Sequence, residues 1–86
     1  LTPRSWRLSN THARWGSCSA DRSIRLCWRL IFFTDDVIDY VVVHELTHIK
    51  HMDHSTRFWQ AVQEVLPDYV RSREKLLGVP AGELEF

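Results

Sequence analysis

Residues 41–54, VVVHELTHIKHMDH, contain four of the five histidines in the chain. His44 and His48 lie four positions apart and Glu45 follows the first of them, in the order HExxH. On an α-helix, side chains four positions apart lie on one face about 6 Å from each other, so both imidazoles can reach a single ion. The spacing therefore predicts a helix that presents two ligands to a metal.

The residues around the motif predict that this helix is buried. Thr34 precedes Asp35 and Asp36, which is typical of a helix start because a hydroxyl caps the first turn and acids favour its positive end. At about 100° per residue, the polar positions that follow form one narrow stripe with apolar residues elsewhere. An unpaired buried polar group costs about 1–3 kcal/mol. Two histidines and a glutamate on the inward side therefore indicate a site that uses them, rather than solvated side chains.

A zinc site that catalyses hydrolysis needs a third protein ligand and an open fourth position. His51 lies about 10 Å further along the axis than the first histidine if the helix continues, and it is better placed to end the helix. Glu64 points away from the apolar face of its own predicted helix. His54 follows a break over residues 51–53, which lets the chain fold back toward the metal. His54 is therefore the predicted third ligand.

The predicted site supports the hydrolysis of a peptide bond. Zinc held by three neutral imidazoles lowers the pKa of its bound water to about 7. Glu45 would accept a proton as this water attacks a carbonyl and would pass it to the leaving amine. Tyr69 is a candidate donor to the oxyanion, because PDY follows the next predicted helix and can return to the cleft. The alternative for Tyr69 is a packed ring with its hydroxyl at the surface.

The first third of the chain predicts a sheet. Trp6 and Leu8 alternate with polar residues, and so do Ile24 and Leu26, a period of two that is typical of strands with one buried face. Residues 12–19, interrupted by Gly16, resemble a middle or edge strand with a bend. We expect a three-stranded antiparallel meander, with His12 exposed in a polar turn.

The remainder of the chain predicts helices, so that the fold class is α+β. The segment LIFF is expected to form a buried connection to the HExxH helix. A second helix is predicted to begin after the N-cap residue Ser55 and to end near Pro67. A third covers residues 68–77 and stops at Gly78 and Pro80, before a loose tail.

Composition limits the classes of function that are open to the chain. Its 86 residues predict one small domain over positions 1–86. Eleven Lys and Arg balance eleven Asp and Glu, which argues against nucleic-acid binding by this segment alone. The longest apolar runs are shorter than the roughly 18 residues of a membrane span. Cys18 and Cys27 form no CxxC pair, and two free thiols favour a reducing, cytoplasmic compartment.

Four segments together resemble a known family: RWGSCS, IRLCWRLI, VIDYVVVHELTHIKHMDHSTRFW and PDY. They resemble the YgjP-like metallopeptidase domain, which is related to the SprT-like and WLM groups of zinc peptidases. The resemblance runs from Trp6 to about Leu77. It implies a small zincin-like fold in which residues 14–19 border the cleft, where an extended peptide substrate can pair.

The resemblance also implies the roles of the site residues. It implies zinc as the cofactor and Glu45 as the general base, with the ligands His44, His48 and His54. Departures from the family pattern are Cys27, Thr34 and Asp53, none of which is a ligand. Because family members usually carry a further N-terminal segment, we expect this chain to be a C-terminal fragment of a longer one.

Three functions are compatible with these features. The leading hypothesis is a zinc-dependent metallopeptidase that acts on a peptide or protein. The first alternative is a non-catalytic module in which zinc only stabilises a small core. The second is the peptidase unit of a DNA-associated repair protein.

Overall fold

A small sheet precedes three α-helices in the computed structural model, which describes residues 2–10 and 14–78. The strands are β1 (Ser5–Ser9), β2 (Gly16–Cys18) and β3 (Ser23–Cys27). A 3-10 helix (Trp28–Phe32) leads to α1 (Asp35–Thr47), α2 (Thr56–Val65) and α3 (Tyr69–Leu77). The predicted α+β order, with the HExxH helix followed by two more helices, is confirmed. His12 and residues 79–86, for which we predicted a polar turn and a loose tail, lie outside the described residues.

The sheet is mixed, in the order β1-β3-β2, and this corrects the predicted antiparallel meander. β2 pairs antiparallel with β3, with Gly16 opposite Leu26, whereas β1 pairs parallel with the other edge of β3. The alternating pattern identifies a strand but not its neighbour. The tight turn between β2 and β3, in which the Arg22 amide donates to the Ser19 carbonyl at 2.9 Å, keeps those two strands together. β1 pairs along all five residues of β3, and β2 is left at the sheet edge.

Several apolar side chains that we expected to be buried are exposed. Trp6 and Leu8 of β1 are 47% and 75% exposed, and Phe32 of the 3-10 helix is 75% exposed. The predicted buried face of β1 is therefore wrong, and of the segment LIFF only Leu30 is fully buried. The reason is the placement of α1, which packs against β2 and β3.

The core forms where α1 meets the other two helices. Val37, Tyr40 and Val41 of α1 are fully buried. They share one cluster with side chains of α2 and α3, namely Phe58, Val62 and Leu76. Burial of α1 on this side confirms the prediction made from its thin polar stripe, and it brings the HExxH face inside the molecule.

The helix boundaries follow the predicted signals with two differences. Ser55 caps α2, where its hydroxyl accepts a hydrogen bond from the Phe58 amide at 3.4 Å. Thr34 precedes α1 as predicted, but its hydroxyl caps no backbone amide and donates to the Asp36 carboxylate instead. α1 ends at Thr47, earlier than the break predicted over residues 51–53. The chain leaves the helix as turns, with the His51 amide donating to the Thr47 carbonyl at 2.9 Å.

Two further features of the described residues bear on the predictions. Cys18 and Cys27 are not joined in a disulfide. No helix within residues 2–10 and 14–78 has the length and apolar character that crossing a membrane requires.

Candidate metal centre

Three imidazole nitrogens converge at the end of α1. The Nε2 atom of His54 lies 3.1 Å from Nε2 of His48 and 3.2 Å from Nε2 of His44. Tetrahedral zinc with bonds of about 2.0–2.1 Å separates its nitrogen ligands by about 3.3 Å. The three donor atoms therefore fit a single ion of this kind. Within the described residues, neither His51 nor Glu64 belongs to this group.

One aromatic ring contacts all three imidazoles. Phe58 is fully buried, and the centroid of its ring lies 4.9 Å from that of His44, 4.5 Å from that of His48 and 5.0 Å from that of His54. The neighbouring Trp59 stacks on His54 at 5.8 Å. The FW pair of α2 thus forms the wall behind the imidazoles. In the sequence, Phe58 is marked only as an apolar residue of the second predicted helix, so its contact with the histidines was not predicted.

The remaining ring nitrogens of the two helix histidines have partners. His48 Nδ1 donates to the His51 carbonyl at 3.0 Å, because a carbonyl only accepts. This leaves Nε2 of His48 with a lone pair that faces the other imidazoles. His44 Nδ1 lies 3.3 Å from the hydroxyl of Tyr40, four positions earlier on α1. We missed Tyr40 in the sequence, although its spacing from His44 was the signal that could have identified it.

Burial keeps the helix histidines neutral. Burial, with smaller contributions from the adjacent His48 and His54 rings, lowers the pKa of His44 to about 2. Burial also lowers the pKa of His48. Neutral imidazoles are the form that binds a metal, so these ligand atoms need no deprotonation near neutral pH.

Glu45 lies beside these imidazoles with one oxygen unsatisfied. Its side chain is buried, and Oε2 has no hydrogen-bond partner among the described residues. Burial raises the pKa of Glu45 to about 8, against the opposing effect of the Arg14 charge. Such an oxygen costs about 1–3 kcal/mol if nothing binds it. Its position fits a carboxylate that serves a ligand of the site, such as a metal and the water it binds.

Gly16 of β2 makes room for the Glu45 side chain. A Cβ atom added at Gly16 would lie 3.0 Å from both Cγ and Oε2 of Glu45. Contacts this short force a neighbour to move, and here both atoms belong to a buried side chain. The absence of a side chain at Gly16 therefore holds a place for the carboxylate.

An open hollow of about 180 Å³ lies over the imidazoles. Glu45, His48 and His54 line one side of it, and the other side comes from β2 and the residue that leads into it, with Arg14, Gly16, Ser17 and Cys18. Residues 14–19 thus border the cleft, as the resemblance implied. His54 is exposed, so the hollow opens to solvent beside it.

Tyr69 lies one layer behind the imidazoles. Its ring stacks on Trp59 at 5.5 Å and on Tyr40 at 6.3 Å. It lines a different hollow, together with Trp59, Val70 and Arg73. The proposed contact between the Tyr69 hydroxyl and an oxyanion stays a prediction.

A small α+β fold in which an HExxH helix and a third histidine meet beside a sheet edge is that of the zincin-like metallopeptidases. The chain belongs to one family of them, because the YgjP-like metallopeptidase domain model matches residues 1–77. No curated protein matches the sequence. The crystal structure of the metallopeptidase zymogen of Pyrococcus abyssi abylysin superposes with a TM-score of 0.79 at 20% identity, over 90% of this chain and 79% of that chain. At this identity the similarity supports the fold alone.

The third ligand can be tested by comparing two histidine variants. His54→Ala removes a converging nitrogen, so we expect zinc affinity to fall by more than about 100-fold. This exceeds the roughly 10–100-fold loss that is typical when a residue that only hydrogen-bonds to a ligand is replaced. His51→Ala keeps the backbone carbonyl that His48 uses and should change affinity by less than about 10-fold. Competition with a chromogenic chelator measures both values. A larger loss in His51→Ala would move the third ligand to His51.

Tyr40→Phe tests the support of His44. The substitution removes only the hydroxyl next to His44 Nδ1. We expect zinc affinity to fall by about 10-fold, at the lower end of the range for residues that hydrogen-bond to a metal ligand. Chelator competition measures the affinity, and circular dichroism checks that the fold is retained. An unchanged affinity would show that this hydroxyl does not orient the imidazole.

Gly16→Ala tests the contact with Glu45 through stability. In metal-free protein we expect the added methyl group to lower the free energy of unfolding by about 1–3 kcal/mol. In a Glu45→Ala background both opposing atoms are gone, so most of this cost should vanish. Urea unfolding gives the free energy of unfolding of the wild type, the two single variants and the double variant.

The control for this cycle is Ser17→Ala, the next residue of β2. Its effect should be the same in both backgrounds, because the atoms that would meet Glu45 Cγ and Oε2 are those of a side chain at Gly16, although Ser17 also lines the hollow. A Gly16→Ala cost that persists in the Glu45→Ala background would assign the strain to another neighbour, such as the Arg25 carbonyl at 3.3 Å.

Proposed function

We propose that this domain is a zinc-dependent peptidase that hydrolyses peptide bonds with water. The convergence of three imidazole nitrogens beside a buried glutamate, in a member of a metallopeptidase family, carries the proposal. Zinc is favoured among metals because three nitrogen ligands with an open fourth position are typical of its catalytic sites. The proposed ligands are His44, His48 and His54.

Glu45 is the proposed general base. Zinc, when bound, supplies a Lewis acid that acidifies water and polarises the scissile carbonyl. The Glu45 carboxylate, placed in the same hollow, takes the proton from the attacking water and delivers it to the leaving amine. The carboxylate occupies the space left by the missing side chain at Gly16, and a side chain there would displace it from the hollow.

The edge of β2 is the proposed docking site for substrate. β2 pairs with β3 on one side only, and its residues line the hollow that contains Glu45 and His48. An extended peptide that pairs with this edge would run across the metal centre. The substrates we propose are therefore unstructured segments of peptides or proteins.

A Tyr69 hydroxyl that reaches the oxyanion remains part of the proposal and is tested by Tyr69→Phe.

The alternative of a purely structural zinc module is less consistent with this site. Structural zinc sites are usually closed by four ligands and favour cysteine. Here the hollow over the imidazoles is open, and a carboxylate with no hydrogen-bond partner for Oε2 among the described residues borders it. A module that only binds zinc has no use for that buried carboxylate.

Glu45→Gln tests the peptidase function. We expect the zinc-loaded variant to lose about 10²–10⁴-fold in the rate of cleavage of a reduced, alkylated protein, because an amide cannot accept the proton. Zinc affinity should change little, since Glu45 is not a proposed ligand. Gel electrophoresis of the digest and chelator competition provide the two measurements.

The matched control is Glu64→Gln, which removes the same charge at an exposed position of α2. It should cleave at the wild-type rate. Equal activity of Glu45→Gln and wild type would overturn the mechanism, and zinc binding by a wild type that cleaves nothing would favour the structural module.

A further inference from the structure

Arg14 is a cation at the hollow that the proposed mechanism has not used. Arg14 lines the hollow at the metal centre together with Glu45, His48 and His54. It also lines the two adjoining hollows on the sheet, which it shares with Ser17 and Arg25. Arg14 thus stands where the cleft meets the edge of β2.

The charge of Arg14 is not neutralised by a neighbour in the described part of the chain. The ion pairs there are Arg4 with Asp21 and Lys75 with Asp36, and Arg14 takes part in neither. Arg14 lines the same hollow as Glu45. An exposed guanidinium beside a buried carboxylate, without an ion pair in residues 2–10 and 14–78, is available to a second anion in the cleft.

Hydrolysis of a peptide bond creates such an anion. As the water oxygen bonds to the carbonyl carbon, the π electron pair of the carbonyl moves onto its oxygen and one water proton passes to Glu45. The pair returns as the carbon–nitrogen bond breaks, and the amine leaves with the proton from Glu45. The negative charge on the carbonyl oxygen exists only between these steps, so a donor aimed at it lowers the barrier.

We propose that Arg14 is a catalytic residue whose guanidinium donates hydrogen bonds to this oxyanion. The inference rests on the proposed peptidase function and adds a residue to it. Among the residues that line the hollow, Arg14 is the one with a permanent positive charge, and a guanidinium presents its N–H groups as a planar fork suited to oxygen anions. Ser17 and Cys18, which also line the hollow, carry no such charge.

The experiment compares Arg14→Gln, Arg14→Lys and Arg25→Gln as zinc-loaded proteins. Two fluorogenic peptides are used that differ only in a neutral or an acidic residue beside the scissile bond. For Arg14→Gln we expect kcat to fall by about 10²–10³-fold on both peptides, with KM within about threefold of wild type, as for loss of one oxyanion donor. Arg14→Lys should recover part of kcat, because it restores the charge without the fork.

Arg25→Gln is the matched control, because it removes the same charge from an exposed arginine that lines the adjoining hollows but not the metal hollow. It should keep the wild-type kcat. Zinc affinity and circular dichroism are measured first for each variant, and the exposure of Arg14 favours a retained fold. A loss of kcat that is matched by lost zinc or lost structure would overturn the proposal.

Three other outcomes would also test the role of Arg14. A rise in KM on the acidic peptide alone would overturn the proposal and make Arg14 an anchor for an acidic substrate side chain. If the wild type is active and Arg14→Gln has the same kcat, the role of Arg14 is overturned but the peptidase function is not. A wild type without activity would overturn both.

Discussion

The contact of Phe58 with three imidazoles is the interaction on which the rest of the structure depends. This ring is fully buried, belongs to the hydrophobic core and touches His44, His48 and His54 at once. A domain of this size buries only a modest apolar area and benefits from additional cross-links. The core and the metal centre therefore share one side chain, and a metal bound by the three histidines would join α1 to the loop that follows it. Stability and the proposed catalysis are coupled through this ring.

The polar groups of the site are buried because each is placed by a neighbour. His48 is held by a backbone carbonyl of the loop that follows α1, and His44 lies against the hydroxyl of Tyr40. Glu45 differs, because its Oε2 has no hydrogen-bond partner among the described residues and its side chain occupies the space left by the missing side chain of Gly16. His44 and His48 are thus oriented by hydrogen-bond geometry, and the proposed base is placed by packing. With no fixed hydrogen bond, Oε2 of Glu45 is available to a water, as the proposed mechanism requires.

Local patterns predicted most of the site, and non-local packing accounts for what they missed. His44, Glu45 and His48 follow from helical spacing alone, and the spacing of His54 allowed the chain to turn back. The early end of α1 at Thr47 depends on turns that bring the loop carbonyl to His48, which no periodicity encodes. The predicted burial of Trp6 was wrong. The alternating pattern identifies the side chains that share one face of a strand, but whether that face is buried depends on where α1 packs against the sheet.

The corrected strand order has a consequence for the cleft. In an antiparallel meander β2 would be the central strand, with both of its edges paired and no backbone groups left for a substrate. In the observed order β3 is central, so the outer edge of β2 has no strand beside it in the sheet. That edge carries Gly16 against Glu45, and Arg14 precedes it at the hollow. An extended peptide that pairs there would run past Glu45 and Arg14 together, because both line the hollow beside this three-residue strand.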